Sequence, residues 1–189
     1  MSARQAEPAP LSARLLVVTG PPGAGKSTVA RVLASEFDPS ALVAGDDFFA
    51  FLQRGAIEPW LPQAHDQNEV VLQAAASAAG RFATGGYVVV YDGVLGPWSL
   101  AAFTTAAQVP YVDYVVLLPS LQRCLDRVAT RVGHGFTDPA ATRHMHREFA
   151  TAGIERRHVV IDPPDDPAAT AAVIRERMTD RTVRYPAPH

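Results

Sequence analysis

Cysteine occurs once in the 189 residues, at Cys124. One thiol can build neither a disulfide framework nor a cysteine-rich metal site, which excludes the small disulfide-stapled and zinc-ribbon classes. Lysine also occurs once, at Lys26, although Lys and Arg together number 17. All the other members of that group are arginines. The formal net charge is −2 and no basic stripe stands apart from the acidic residues, so no nucleic-acid partner is expected. No run approaches the roughly 18 apolar residues of a membrane span. Residues 1–12 read as a flexible polar tail rather than a signal peptide, and a cytoplasmic location is the matching expectation. What remains is ordinary for a globular chain with a real core: 48% hydrophobic and 19% charged. The length predicts one domain over residues 13–180, carrying a small lid at about 131–153, and a C-terminal tail over 181–189.

The solitary lysine sits in Gly20-Pro21-Pro22-Gly23-Ala24-Gly25-Lys26-Ser27-Thr28, which completes the pattern G-x-x-x-x-G-K-[ST]. In that pattern backbone N–H groups, here from Gly23 to Thr28, cradle a β-phosphate. The lysine bridges the β- and γ-phosphates, and the following hydroxyl, Ser27, is offered to Mg²⁺. A slim ammonium on a flexible stem suits this loop, whereas a guanidinium fork suits planar bidentate contacts. Leu15–Thr19 before the loop is a short β-rich run. The residues from Ser27 to Phe37 after it place Val29, Val32, Leu33 and Phe37 on one helical face. A strand, a glycine loop and a helix N-terminus make an anion site from orphan N–H groups and the helix dipole. The chain is therefore expected to bind a nucleoside triphosphate, read as ATP with Mg²⁺.

Further along, apolar runs alternate with helical stretches, the pattern of a parallel α/β sheet. Strands are predicted at Leu15–Thr19, Ala41–Ala44, Tyr87–Tyr91, Tyr114–Leu118 and His158–Ile161. Helices are predicted at Ser27–Phe37, Asn68–Thr84, Leu121–Val132, Pro139–Gly153 and Pro167–Met178. Asp66 and Glu69 resemble a capping box, Thr137-Asp138-Pro139 a helix start, and Gly85-Gly86 a helix stop. The fold expected is a three-layer P-loop arrangement with five parallel strands and a helical, arginine-bearing lid.

Ligands of such sheets collect beyond the carboxyl ends of the strands. Asp46 and Asp47 directly follow the second strand, where a carboxylate can position an acceptor hydroxyl and take its proton. Asp46, nearer the strand end, is the first choice; the other aspartate is a turn or cap residue. Asp92 ends the third strand and is read, with Ser27, as a Mg²⁺ contact. Arg127 and Arg131 share a helical face and are read as cations for the transferring group, on a lid hinged at Gly133–Phe136. Arg123, Arg143 and Arg147 read as ordinary surface arginines. Trp98 reads as a core or hinge residue. The histidines have no carboxylate or thiol at ligand spacing and make no metal site. The long stretch Phe51–Glu69 is the expected acceptor segment. Phe49, Trp60, His65, Asn68 and, from the lid, His134 are its candidate substrate residues.

With these residues assembled, the chain resembles the small P-loop kinases of metabolites and antibiotics. Gluconate kinase, shikimate kinase and chloramphenicol phosphotransferase belong to that group, and zeta-type toxin kinases are more distant. The resemblance spans Leu15 to Met178. The segment Val90-Tyr91-Asp92-Gly93-Val94-Leu95-Gly96 is similar to chloramphenicol phosphotransferase, in which an acidic strand end also runs into a short apolar turn. The resemblance implies a general base at Asp46 or Asp47, lid arginines at Arg127 and Arg131, and an adenine-side loop at Asp162–Asp165. Shikimate kinase carries an Asp-x-Asp spacing at its second strand end, whereas Ala44 stands at the first of those places here. The expected activity is ATP-dependent phosphoryl transfer to a hydroxyl of a small molecule. The alternatives are a kinase of nucleosides or nucleic-acid ends, and a nucleotide-dependent switch without chemistry.

Overall fold

The structure is a computed structural model that describes residues 14–130 and 138–188. The predicted N-terminal tail, Arg131, the Gly133–Phe136 joint and His134 lie outside the described residues. Strands β1 (Arg14–Thr19), β2 (Ser40–Ala44), β3 (Val88–Asp92), β4 (Tyr111–Leu118) and β5 (Val159–Ile161) form a parallel sheet in the order β2-β3-β1-β4-β5. Helices α1 (Lys26–Ser35), α2 (His65–Thr84), α3 (Pro97–Ala107), α4 (Leu121–Thr130), α5 (Pro139–Thr151) and α6 (Pro167–Thr179) supply the outer layers. This is the expected three-layer P-loop arrangement.

The layering follows from the period of two along a strand. On β1, Leu15 and Val17 face one core with residues of α2 and α3, including Ala79 and Phe103, and with Phe149 of α5. Leu16 and Val18 face the other core, with Leu33 of α1 and Ile174 of α6. All four β1 side chains are fully buried. That is why the run reads as continuously apolar rather than alternating, as strands covered on both faces do. Each such burial stabilises by about 1.5–3 kcal/mol.

Three features differ from expectation. Helix α3 is absent from the sequence-based prediction. It is apolar nearly all round, burying Ser99, Leu100, Phe103, Thr104 and Ala107, so it shows no polar face to mark a helical stripe. The residues expected to form a C-terminal tail contribute β6 (Arg184–Pro186), antiparallel to the first half of β4. Strand β5 pairs only with the second half of β4, which leaves that edge open for β6. Finally, Asp66 and Glu69 do not form a capping box. Helix α2 starts three residues earlier than predicted, at His65, with Ala64 as its cap and no capping side chain. The Asp138 cap does form, accepting from the backbone N–H groups of Ala140 and Ala141 at 2.7 and 3.2 Å.

Candidate functional site

The glycine loop runs from buried Gly20 to the first turn of α1. Gly23 has φ +79°, and a Cβ there would collide with the backbone carbonyl of Cys124 in α4. Only glycine meets both demands. The loop is therefore braced from outside by α4, a contact between residues too distant in sequence to be read from either segment. The Ala24 N–H donates to the Pro21 carbonyl at 3.1 Å, and Lys26 Nζ donates to the same oxygen at 3.1 Å. The lysine stem thus folds back along its own loop.

Asp92 closes β3 in register with Val18 of β1 and Ala44 of β2. By alternation it faces the α1 side, as Val90 does. It is 8% exposed. Burial pushes its carboxyl above the ordinary range; the Ser27 hydrogen bond and the Lys26 charge pull it back, and Asp46 pushes it up again. Its Oδ1 is buried without a hydrogen-bond partner among the described residues. A buried, unpaired carboxylate oxygen beside a serine hydroxyl suits Mg²⁺, which takes one or two protein oxygens and fills its octahedron with phosphate and water. No cluster of three or more His, Cys, Asp or Glu that could hold a metal occurs among the described residues. The donor set therefore fits an ion that arrives with a nucleotide rather than a caged one.

Asp46 lies in the 3₁₀ turn Gly45–Phe51 that continues from β2. Its charge acts on Asp92 and also on Tyr91, whose buried hydroxyl is pushed above its ordinary value by burial first, then by Asp46 and Asp92. Asp47 is not among the charges acting on either group. Gly45 and Gly93, the residues just beyond β2 and β3, both abut the Tyr91 hydroxyl, where a Cβ would clash. The two strand ends thus converge on one tyrosine hydroxyl through Gly45 and Gly93.

On the other side of the loop is a cavity of about 300 Å³, lined by Gly25, Thr28, Arg127, Pro163, Asp165 and Thr170 among others. Arg127 donates to the carbonyls of Gly23 and Ala24, both at 3.4 Å, and pairs with Asp165 at 3.3 Å. Arg123, expected to be an ordinary surface arginine, pairs with the same carboxylate and donates to the Pro163 carbonyl at 3.0 Å. The two guanidiniums tie the Asp162–Pro167 loop to α4 and make that loop one wall of the cavity. Arg127 therefore stands at the phosphate loop itself and not on the outer lid helix. Arg143 and Arg147 of α5 are exposed.

A buried strand end, a glycine loop braced on its helix, and a Ser27–Asp92 pair beneath it make up a phosphate-binding motif in its expected setting. Residues 15–150 match the family model described as an AAA domain. The chain belongs to that P-loop family. No curated protein matches it. Among solved structures, a sugar kinase from a Janibacter species aligns with 22% identity over 93% of this chain and 99% of its own, at a TM-score of 0.59. A gluconokinase from Sinorhizobium meliloti aligns with 19% identity over 91% and 94%, at 0.56. The tunicamycin resistance protein of Deinococcus radiodurans aligns with 15% identity over 93% and 99%, also at 0.56. These likenesses show a P-loop kinase fold. No helix among the described residues is long and apolar enough to cross a membrane.

In this AAA domain the expected acceptor segment is held by three consecutive side chains at the start of α2. Gln67 accepts from the Ile57 N–H at 2.8 Å and donates to the Ile57 carbonyl at 2.7 Å. Asn68 donates to the Pro59 carbonyl at 2.7 Å, and Glu69 accepts from the Ser99 hydroxyl at 2.7 Å. Glu69 is thus a clasp between helices, its side chain taken by Ser99. Trp60 is 38% exposed, His65 is exposed on the first turn of α2, and Phe49 is half-buried. Trp98, expected in a core or hinge, is 53% exposed and rests against Phe149 with ring centroids 5.6 Å apart. One further support has no local sequence signal. The Leu95 N–H donates to Thr19 Oγ1 at 2.7 Å, and the Leu95 carbonyl accepts from the Tyr114 hydroxyl at 2.9 Å. The turn after Asp92 is thereby pinned at both ends to the neighbouring strands.

Proposed function

We propose that this protein transfers the γ-phosphoryl group of ATP to a hydroxyl of a small molecule, with Mg²⁺. The observation that carries this reading is the phosphate loop with Lys26 and Ser27 set by buried Asp92 at the end of β3, while Gly45, next to Asp46, and Gly93, next to Asp92, both meet the Tyr91 hydroxyl. A separate cavity, lined in part by the phosphate loop and Arg127, has room for the rest of a nucleotide.

In this reading the acceptor hydroxyl lies against Asp46, which takes its proton as the oxygen bonds to the γ-phosphorus. The bond from that phosphorus to the β–γ bridging oxygen breaks and ADP departs. Lys26 and the loop N–H groups hold the phosphates in line, so positioning and electrostatics supply most of the acceleration. Ser27 and Asp92 would hold Mg²⁺, which would supply positive charge to offset that of the phosphates. Arg127 and Arg131 supply cations to the nucleotide and the transferring group.

Asp46→Asn and Asp47→Asn separate the base from its neighbour. ADP release measured across a panel of alcohol-bearing compounds is expected to fall about 10²–10⁴-fold for Asp46→Asn and to stay within a few-fold for Asp47→Asn. Equal rates in the two variants would remove Asp46 as the base. Full turnover in Lys26→Ala would remove nucleotide chemistry altogether.

A further inference from the structure

The tip of Tyr91 stands where pairing between β2 and β3 runs out. The parallel register sets Val43 against Tyr91 and Ala44 against Asp92. One step on, the next rung would set Gly45 against Gly93. Side chains two apart on a strand share a face, so a side chain at either glycine would fall on the Tyr91 side. The tyrosine, leaning along its strand, takes that space. Gly45 meets the hydroxyl from the Cε2 edge of the ring and Gly93 from the Cε1 edge, and a Cβ at either would strike it. The ring itself is fixed from behind. Tyr91 is buried and lies edge-on to Phe103 of α3, with ring centroids 4.8 Å apart.

The two buried tyrosines of this core are used differently. Tyr114 spends its hydroxyl on a hydrogen bond to the Leu95 carbonyl. The Tyr91 hydroxyl is pressed between two backbones. Further along, each turn has an anchor of its own: Phe48 packs on the core, and the Leu95 N–H donates to Thr19. At the strand ends themselves the shared neighbour is Tyr91. Asp46 directly follows Gly45 and Asp92 directly precedes Gly93. The separation of the two glycines therefore bears on the separation of the two carboxylates. Transfer chemistry is sensitive to such spacing, because a displacement of about 1 Å can cost about 10²-fold.

We propose that Tyr91 is a positioning residue of the transfer site, its hydroxyl setting the separation of Gly45 and Gly93 and through them that of Asp46 and Asp92. The role rests on the phosphotransfer reading, and one experiment separates the two. The probe is MgADP with fluoroaluminate, a stand-in for the transferring phosphoryl group. Binding to the full chain is followed with a fluorescent ADP analogue, and folding by thermal melts. Fluoroaluminate is expected to tighten MgADP on the wild type by at least about 10²-fold. Tyr91→Phe should keep its melting point within about 4 °C and its MgADP affinity within about twofold, yet lose about tenfold of that tightening. Gly45→Ala should lose tightening as well, since its methyl meets the hydroxyl first. In the double variant the two losses should be less than multiplicative, because both act on one contact. Full tightening in Tyr91→Phe would overturn the proposal. So would single losses that simply multiply, or a joint fall in MgADP affinity and melting point, which marks a general loss of fold. If Gly45→Ala does not fold, Tyr91→Phe decides alone. A wild type untouched by fluoroaluminate would remove the phosphotransfer reading, and the role of Tyr91 with it.

Discussion

Asp92 offers a test in which stability and function should move in opposite directions. Its carboxylate is 8% exposed and one oxygen lacks a hydrogen-bond partner. Leaving a buried polar group unsatisfied costs about 1–3 kcal/mol. Asp92→Asn keeps the shape and removes the charge, so the ligand-free protein should gain about 1 kcal/mol. That corresponds to a rise in Tm of about 2–4 °C for a chain of this size. The pH dependence has a definite sign. Burial raises the folded-state pKa above its ordinary value of 3.8, so the fold favours the protonated form. As pH climbs past that ordinary value the unfolded chain ionises first and wild-type stability falls, levelling off above the raised folded value. The advantage of Asp92→Asn should therefore be present at neutral pH and vanish in acid. With MgATP the order should reverse, because the wild type gains ligand stabilisation that the variant cannot match. Turnover should drop about 10²-fold. Asp113→Asn is the internal control. Asp113 is fully buried on β4 with both carboxylate oxygens unpartnered among the described residues, and burial raises its pKa despite Arg14 and Arg184. It lies toward the opposite, amino end of the strand. Its variant should show the same pH-dependent gain in Tm with no loss of MgATP stabilisation. Thermal melts from pH 3 to 8, with and without MgATP, decide the matter. A ligand-free Asp92→Asn protein that melts lower than wild type yet gains equally from MgATP would refute the reasoning.

The arginine pair and the pinned turn give two further expectations. Asp165→Ala removes the carboxylate shared by Arg123 and Arg127; the Asp165 side chain is 88% exposed, so stability should change by less than about 1 kcal/mol. The KM for ATP should rise about tenfold with acceptor KM unchanged, as for loss of one charge-assisted contact that orders the cavity wall. Equal effects on both KM values would argue against that wall as the nucleotide side. Tyr114→Phe leaves the buried Leu95 carbonyl without its donor and should cost about 1–3 kcal/mol in urea unfolding. A variant as stable as wild type would show that the hydroxyl does not hold the turn.

The phosphate loop, the order of the five parallel strands along the chain and the Asp138 cap were all legible in the sequence. Each rests on residues within a few positions of one another: a glycine spacing, an apolar run with a period, a carboxylate just ahead of a proline. Strand ends at Asp46 and Asp92 were legible for the same reason, since a short run that stops at an acid names its own carboxyl end. What the chain could not announce was which partners fold back across it. The Arg127 contact with Gly23 spans 104 residues and the Leu95 contact with Thr19 spans 76. The tertiary structure brought Gly45, next to Asp46, and Gly93, next to Asp92, against one Tyr91 hydroxyl, a meeting that neither segment announces. It also drew Arg123 from the surface set into the tie that holds the loop at Pro163 and Asp165, turned Glu69 from cap to clasp, and made three residues of the expected tail a strand. Helix α3 escaped notice because its exposed face is Trp98, Ala101 and Thr105, with no charged residue to mark the polar stripe by which helices are recognised. Local chemistry determined that this chain carries a P-loop; long-range packing decided what surrounds it.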